Sequence, residues 1–512
     1  MFVSAREWQR PVPENAVTRP LPSETDVPRI PARTSRAQAA ANDDTPESDA
    51  RALYDGLLKG SPDDATRLAA RQLLQRSIAS LDDADCNLPE SPDGLLDWMR
   101  HSAHEANGKY RAYLEERKSG APRRYFGNRA HALYFLRNVA PTKLVDGSWL
   151  YGLVAHWQNP RFSDLVLTYV EELGEGQPDK NHVVLYRKLL ERYGLDPVDG
   201  LPESAYLQGA LQLALGWNAE EFLPEVIGFN LGYEQLPLHL LITAYELNEL
   251  GIDPYYFTLH ITVDNDDTGH ARRAVQAVHD SMPKLGDSDI ADAFWQRVRD
   301  GAQLSNAGVG TTDVIAGFDI HAEVVRILAH KSAAGNGAHS DYCRVAGRSV
   351  NDWLSSPGQI PAFLAALEKA GWIKRGQPVS ESRFWGLLQG ERAEMFGVFS
   401  SYELQVIHDW IRGDAAADGQ AFAELPAPEG RRRATFRASA RLEALQHPGA
   451  LGSLGEAPDD LLDPDLQSLQ AFLDSKPEPQ QLGRVLVNAM SPAAHWTPAG
   501  LQATRLFRQL TA

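Results

Sequence analysis

Apolar residues in the central part of the chain recur with the spacing of α-helices. Five consecutive segments between residues 163 and 265 place them three and four positions apart, and Gly, Pro and Asp separate the segments. The alternation of apolar and polar residues that is typical of a half-buried strand is almost absent. Because the apolar face of one helix must be covered by other helices, the sequence predicts an all-α protein built as a helical bundle.

Helical spacing continues on both sides of this part, and changes in composition indicate the domain limits. Residues 1–50 are rich in Pro, Ser, Thr and charged residues, so we expect an extended or disordered segment there. Helical regions are predicted over 51–128 and 129–330. A run of small residues near 331–350 precedes a C-terminal helical region over 350–512. Its Trp-rich helices are expected to pack either on the bundle or on a second subunit of a homodimer.

Composition argues against several classes of protein. The formal net charge of -18 disfavours a nucleic-acid-binding surface, which needs clustered Lys and Arg. Two cysteines allow neither a disulfide framework nor a thiolate metal site, and this usage fits a reducing cytoplasm. A membrane-spanning run of about 18 apolar residues is missing, and the N-terminus lacks the apolar core of a signal peptide. We therefore expect a soluble, cytoplasmic protein.

The segment LHITVDNDDTGHA, residues 259–271, carries groups that bind metals in two different ways. An EF-hand calcium loop beginning at Asp264 would need a bidentate carboxylate at its twelfth position, which is Val275, so no calcium site is expected. His260 and Asp264 are four residues apart and share a helix face that is otherwise apolar. They form either a buried hydrogen bond or part of a metal site, to which His270 would add a second imidazole.

Earlier helices repeat this pattern of polar groups on apolar faces. Glu172, His182 and Glu234 each lie in line with apolar residues of their own helices. Each has a local explanation, as a helix-end glutamate, a capping histidine and a glutamate near the kink at Pro237. Together with His260 they direct carboxylates and imidazoles from consecutive helices into the interior. Such groups are the ligands that non-haem iron favours, and helical bundles build di-iron sites from them.

Three motifs, in this order, resemble those of the haem-oxygenase-like di-iron oxidases, which are also described as iron-containing redox enzymes. The first is ELGEG followed by NHxxLY, the second is GYEQLP, and the third is YFTLHITVDN followed by GHA. The resemblance covers about 130–285 and implies a haem-oxygenase-like helical bundle with additional N- and C-terminal helices. It also implies two Fe(II) ions, held by Glu172, His182, Glu234, His260, Asp264 and His270.

Two features depart from the pattern of that family. Many members carry HxxxDxxH, whereas five residues separate Asp264 from His270 here, so His270 reaches the site only if the helix is interrupted. Gly269 favours such an interruption, and Asp266 is an alternative source of the oxygen ligand. The second departure is the glutamate that some members place on an earlier helix. Asp146 occupies a comparable interval, either as a ligand or as a cap of the helix that follows it.

The resemblance implies an iron-dependent oxidoreductase that activates O2. Its substrate would be a small amino-acid-like or fatty-acid-like molecule, changed by N-oxygenation or by carbon–carbon cleavage. A cofactor-free enzyme on the same fold and a binding or scaffold protein are the open alternatives. The expected partners are the small-molecule substrate and O2, with neither nucleic acid nor a membrane. Of the other glutamates, Glu225 is expected to bond neighbouring helices and Glu246 to lie on a solvated face.

Overall fold

A computed structural model describes residues 49–82, 86–195, 200–263, 269–335, 337, 339–340, 342–389, 394–395, 397–413 and 463–511. Within these ranges the chain contains 23 α-helices and one antiparallel pair of two-residue strands. The prediction of an all-α fold is therefore confirmed. The predicted N-terminal segment falls, up to residue 48, outside the described residues.

The N-terminal helices are α1 (Ala50–Leu57), α2 (Asp64–Ala79) and α3 (Leu95–Lys118). The central helices are α4 (Arg129–Asn138), α5 (Ala140–Lys143), α6 (Tyr151–Val154), α7 (Ser163–Glu172), α8 (His182–Tyr193), α9 (Ser204–Trp217), α10 (Leu223–Tyr233), α11 (Leu238–Glu249), α12 (Tyr255–Val263), α13 (His270–Ser281), α14 (Ser288–Leu304), α15 (Thr311–Ala316) and α16 (Ile320–Gly335).

The strand pair β1 (Arg344–Val345) and β2 (Arg348–Ser349) precedes the remaining helices. These are α17 (Val350–Leu354), α18 (Ile360–Lys369), α19 (Arg383–Gln389), α20 (Ser401–Arg412), α21 (Pro464–Asp474), α22 (Pro479–Ala489) and α23 (Pro498–Thr511). Short 3-10 helices cover Pro92–Gly94, Ser148–Leu150, Pro160–Phe162, Gly174–Gly176, Pro357–Gln359 and Val379–Glu381. None of the described helices is both long and apolar enough to cross a bilayer.

Two apolar cores hold these helices together. The first is formed by α1, α2, α7, α9, α10, α13 and α14 with the C-terminal helices α21–α23. The second is formed by α4, α8, α11 and α12 with α16–α20. The Trp-rich helices of the C-terminal region thus pack on the bundle, which was one of the two expected arrangements. Because α7, α10 and α13 belong to the first core and α8 and α12 to the second, the predicted ligands lie where the two cores meet.

The turn that carries Asp146 depends on two close approaches of the backbone. Gly147 has a φ of 78°, in the left-handed region that favours glycine, and a Cβ there would lie 2.9 Å from Cβ of Glu172. A Cβ on Gly216 of α9 would lie 2.1 Å from the carbonyl oxygen of Ser148. Both glycines therefore allow the turn to be pressed between α7 and α9, with the Asp146 side chain buried.

Two glutamates outside the predicted site test the reasoning from helix faces. Glu225 forms an ion pair with Arg297 of α14, with 2.6 Å between Oε1 and Nε, so the expected bond to a neighbouring helix is confirmed. The expectation for Glu246 is wrong, because this side chain is fully buried. It accepts hydrogen bonds from the hydroxyl of Tyr113 (2.7 Å) and from backbone amides of residues 124–126 (2.6 to 3.0 Å).

Candidate metal centre

Glu172 and His182 are brought together by a tight reversal of the chain. Helix α7 ends at Glu172, and α8 begins at His182, where the Asn181 side chain caps it by accepting from the Val184 amide at 3.0 Å. The 3-10 helix between α7 and α8 contains Glu175 in the left-handed region, with a φ of 53°. Oε2 of Glu172 consequently lies 2.5 Å from Nδ1 of His182.

Asp146 and His260 lie beside this pair. Oδ2 of Asp146 accepts a hydrogen bond from the Tyr256 hydroxyl at 2.5 Å and lies 3.1 Å from Nε2 of His260. Nδ1 of His260 lies 2.8 Å from the Tyr256 carbonyl oxygen, which can only accept, so Nδ1 must carry a proton. Nε2 of a neutral His260 then has a lone pair directed at the carboxylate. That arrangement is favourable only with a cation between the two groups or with an imidazolium.

His270 joins Glu172 to Glu234. Nδ1 of His270, the first residue of α13, lies 3.1 Å from Oε1 of Glu172 and 3.1 Å from Oε2 of Glu234, which directly follows α10. Its other ring nitrogen, Nε2, lies 3.0 Å from Oε2 of Glu171. Arg273 binds both carboxylate oxygens of Glu171 and so fixes it. A carboxylate behind a ligating histidine is the usual arrangement in metal sites, because it orients the ring.

The contacts define two groups of potential ligands that share one residue. The four-residue cluster consists of Asp146, Glu172, His182 and His260, and the three-residue cluster of Glu172, Glu234 and His270. Within each cluster the ligand atoms lie within 4.8 Å of one another, and every member is buried. Glu172 directs Oε2 to the first cluster and Oε1 to the second, as a bridging carboxylate does.

Burial and charge act against each other in both clusters. Burial opposes ionisation of Glu172, but the nearby His182 and His270 outweigh it and hold the pKa of Glu172 well below its usual range. In Asp146, burial is likewise outweighed, by Lys143 and His260, and the pKa is lowered. Burial dominates at Glu234 and raises its pKa, because only His270 favours the charged form there. Cationic neighbours therefore hold the buried carboxylates of Asp146 and Glu172 in the charged form.

Several buried atoms of the clusters lack hydrogen-bond partners among the residues that the structure describes. These are Oδ1 of Asp146, Nδ1 of His182 and Oε1 of Glu234. The short contact between His182 and Glu172 does not have the orientation of a hydrogen bond. Unsatisfied buried polar atoms cost about 1–3 kcal/mol each, so three of them at one place need an explanation. A cation in each cluster would give them a common partner, and imidazole with carboxylate suits iron. The residues therefore fit a two-metal centre.

Five of the six predicted ligands are brought together by the structure, namely Glu172, His182, Glu234, His260 and His270. Asp264, the sixth, and Asp266, its alternative, lie outside the described residues. Helix α12 ends at Val263 and α13 begins at His270, so the two histidines do not share one continuous helix.

Asp146 stands among the potential ligands, and the alternative that it caps the following helix is wrong. Its described hydrogen bonds go to side chains, and the 3-10 helix that begins at Ser148 has no side-chain cap. Reasoning from the sequence missed Glu171 and Tyr256, which hold His270 and Asp146. The signal for Glu171 was its position next to Glu172, with Arg273 three residues after His270.

Comparison with known proteins supports the same conclusion. Residues 133–304 match the model of a family described as iron-containing redox enzyme. The matched range includes all six residues of the two clusters, and it confirms the predicted resemblance and the haem-oxygenase-like helical fold over this part of the chain. Searches of curated proteins and of solved structures gave no match.

Proposed function

We propose that this chain, in which residues 133–304 belong to the iron-containing redox enzymes, is an O2-activating oxidoreductase with two Fe(II) ions. Its substrate would be a small amino-acid-like or fatty-acid-like molecule, changed by N-oxygenation or by carbon–carbon cleavage. The single observation that carries the proposal is the position of Glu172 in both clusters. A hydrogen-bonded His–Asp pair explains one buried cluster, whereas a carboxylate shared between two ligand sets is typical of a two-metal site.

Two ferrous ions would supply the reducing electrons for O2 activation. The protein's own groups prepare the site for them. Tyr256 holds His260 through its carbonyl oxygen, so that Nε2 of the ring points at the cluster, and it holds Asp146 through its hydroxyl. Glu171 does the same for His270. Burial of every cluster member excludes bulk water, which strengthens these electrostatic contacts and protects reactive species.

Metal analysis of selected variants tests the proposal. After anaerobic loading with Fe(II) and gel filtration, the wild-type chain should retain about two iron ions. Glu172→Ala should lose both, because it removes a ligand from each cluster. Glu234→Ala should retain about one, because the four-residue cluster keeps all its members. Glu115→Ala is the matched control, since Glu115 is an exposed helical glutamate paired with Lys118.

Oxygen consumption separates this function from its rivals. The iron-loaded chain, screened with free amino acids and fatty acids, should consume O2 with at least one of them and stop when a chelator removes the iron. Catalysis that persists in the chelator would instead support the cofactor-free enzyme. Iron retained equally by the Glu172 and Glu234 variants would refute a shared ligand. Cytoplasmic location and a homodimeric state remain predictions.

A further inference from the structure

One lysine, Lys143, lies close enough to the clusters to feel the charges of Asp146 and Glu172. Lys143 ends α5, and its side chain is only partly exposed. Its Nζ donates a hydrogen bond to the Tyr233 hydroxyl at 3.1 Å and lies 5.2 Å from the centre of that ring. Within the described residues it forms no ion pair with a carboxylate. An ammonium group in such surroundings is costly unless an anion or several acceptors surround it.

Lys143 and Tyr233 lie close to the ligands along the chain and in space. Lys143 precedes Asp146 by three residues, and Tyr233 directly precedes Glu234. Burial opposes the charge of Lys143, but the influence of Tyr233, Asp146 and Glu172 exceeds it and raises the lysine pKa. When two metal ions are bound, the charges of Asp146 and Glu172 are used to neutralise them. These two carboxylates then no longer compensate the charge of the Lys143 ammonium.

Gln212 and His239 complete the surroundings of this cation. Gln212 of α9 is fully buried beside the Tyr233 hydroxyl, and among the described residues neither its amide nitrogen nor its amide oxygen has a hydrogen bond of standard geometry. Burial, and then the Lys143 charge, lower the pKa of His239 to about 4, so this imidazole is neutral at neutral pH. The group at this place thus offers several unused donors and a positive charge, and it adds no negative charge of its own.

A cavity of about 140 Å³ lies one helical turn away from this place. Its lining includes Val139, which precedes α5, Gln208 of α9, and Asp313, whose carboxylate accepts a hydrogen bond from the Gly310 amide. Lys143 and Gln212 follow the first two of these residues, respectively, by four positions, one turn further along the same helix faces. The chain from α5 to Ser148 runs alongside α9 in the same direction, because Gly209 lies against the carbonyl of Pro141 and Gly216 lies against that of Ser148.

We infer that Lys143, Tyr233 and Gln212 form a subsite for a carboxylate group of the substrate, which enters from this cavity. The inference rests on the proposed function and makes it more specific. The ammonium supplies the charge, and the phenol and the amide supply two neutral hydrogen bonds. The subsite residues Lys143 and Tyr233 are near neighbours in sequence of the proposed ligands Asp146 and Glu234. A substrate carboxylate bound by them would keep the rest of the molecule at the metal centre.

Calorimetric titration of the anaerobic, Fe(II)-loaded chain tests the subsite with two pairs of probes. Octanoate is compared with octanamide, and L-leucine with L-leucinamide, so that each pair differs in the carboxylate. At least one carboxylate should bind ten times more tightly than its amide. Lys143→Gln should weaken that binding about tenfold or more, as expected for hydrogen bonds to a charged group, while Lys143→Arg should stay within about threefold. Lys109→Gln, a change at an exposed lysine, is the control.

The outcomes separate the two proposals. Equal binding of carboxylate and amide by wild type, or unchanged carboxylate binding by Lys143→Gln with normal iron content, would overturn the subsite and leave the iron proposal standing. If wild type takes up no iron, the proposed function fails. The same titration of the metal-free chain then decides whether a lysine-dependent anion site exists. Circular dichroism and thermal unfolding of Lys143→Gln verify that the variant is folded.

Discussion

Replacing Glu171 by Gln should weaken iron binding at one of the two proposed metal sites and leave the affinity of the other unchanged. Glu171 belongs to neither cluster, but it lies 3.0 Å from Nε2 of His270 and is held by Arg273. The carboxylate therefore keeps the ring turned so that Nδ1 faces Glu172 and Glu234. Gln preserves the size of the side chain and removes the charge that strengthens the contact with the imidazole.

The size of the effect follows from the position of His270 in one cluster only. Loss of a carboxylate that orients a ligating histidine usually weakens metal affinity by about 10- to 100-fold, which corresponds to about 1.4 to 2.7 kcal/mol. The four-residue cluster does not contain His270. One ion should accordingly keep its wild-type affinity, and the whole loss should fall on the other.

An anaerobic titration with Fe(II) in a calorimeter resolves two classes of sites if their affinities differ by about 10- to 100-fold. Glu175→Gln is a suitable control, because Glu175 lies in the same segment but pairs with Arg508 at 2.9 Å and belongs to neither cluster. A Glu171→Gln chain whose two ions weaken equally, or whose binding matches that of the control, would show that the assigned role of Glu171 is wrong.

Two further predictions concern stability. Burial lowers the pKa of His495 to about 3, and its Nδ1 accepts from Asn181, whereas an unfolded histidine has a pKa of about 6.5. The neutral, buried His495 therefore contributes its full share to the free energy of unfolding above pH 6.5. That share is lost as pH falls, and about 2 kcal/mol of it is gone at pH 5. Urea unfolding of metal-free His495→Asn should therefore depend less steeply on pH between 7 and 5 than that of wild type, and parallel curves would contradict this. Gly216→Ala should lower the free energy of unfolding by about 1–3 kcal/mol, because the Cβ of the new alanine would lie 2.1 Å from the carbonyl oxygen of Ser148. Gly108→Ala, on an open part of α3, should raise the free energy of unfolding by about 0.5–1 kcal/mol. A higher urea midpoint for Gly216→Ala than for Gly108→Ala would refute the packing argument.

Helix periodicity predicts an interior ligand when that ligand lies on an otherwise apolar face. Glu172 and His182 met this condition, and so did Glu234, because each interrupts a row of Leu, Ile or Tyr residues. Such an interruption can be recognised in a single sequence. A carboxylate in an apolar row indicates a bound or paired partner, because burying it is unfavourable without compensation. The helical fold followed from the same periodicity, repeated over most of the chain.

Groups that lie in turns or depend on distant backbone could not be found in this way. Asp146 lies between two short helices, where no apolar row exists to be interrupted. The sequence predicts a solvated face for Glu246 because its helix alone gives no sign of the loop formed by residues 124–126, whose amides surround it. A lysine at a helix end is ordinary, so the sequence gives no sign of a role for Lys143. Its position beside Tyr233 and the clusters is apparent only in the structure.

The helices that carry two of the proposed ligands are held in place by a much later part of the chain. The Tyr169 hydroxyl, one turn before Glu172, donates to the carbonyl oxygen of Met490 at 2.5 Å, and Asn181, which precedes His182, contacts His495. A ribosome must therefore add 321 residues after Tyr169 before this partner exists. During synthesis the imidazoles and carboxylates emerge before their support, so the proposed metal site would become ordered only after that part of the polypeptide has been made and has folded back.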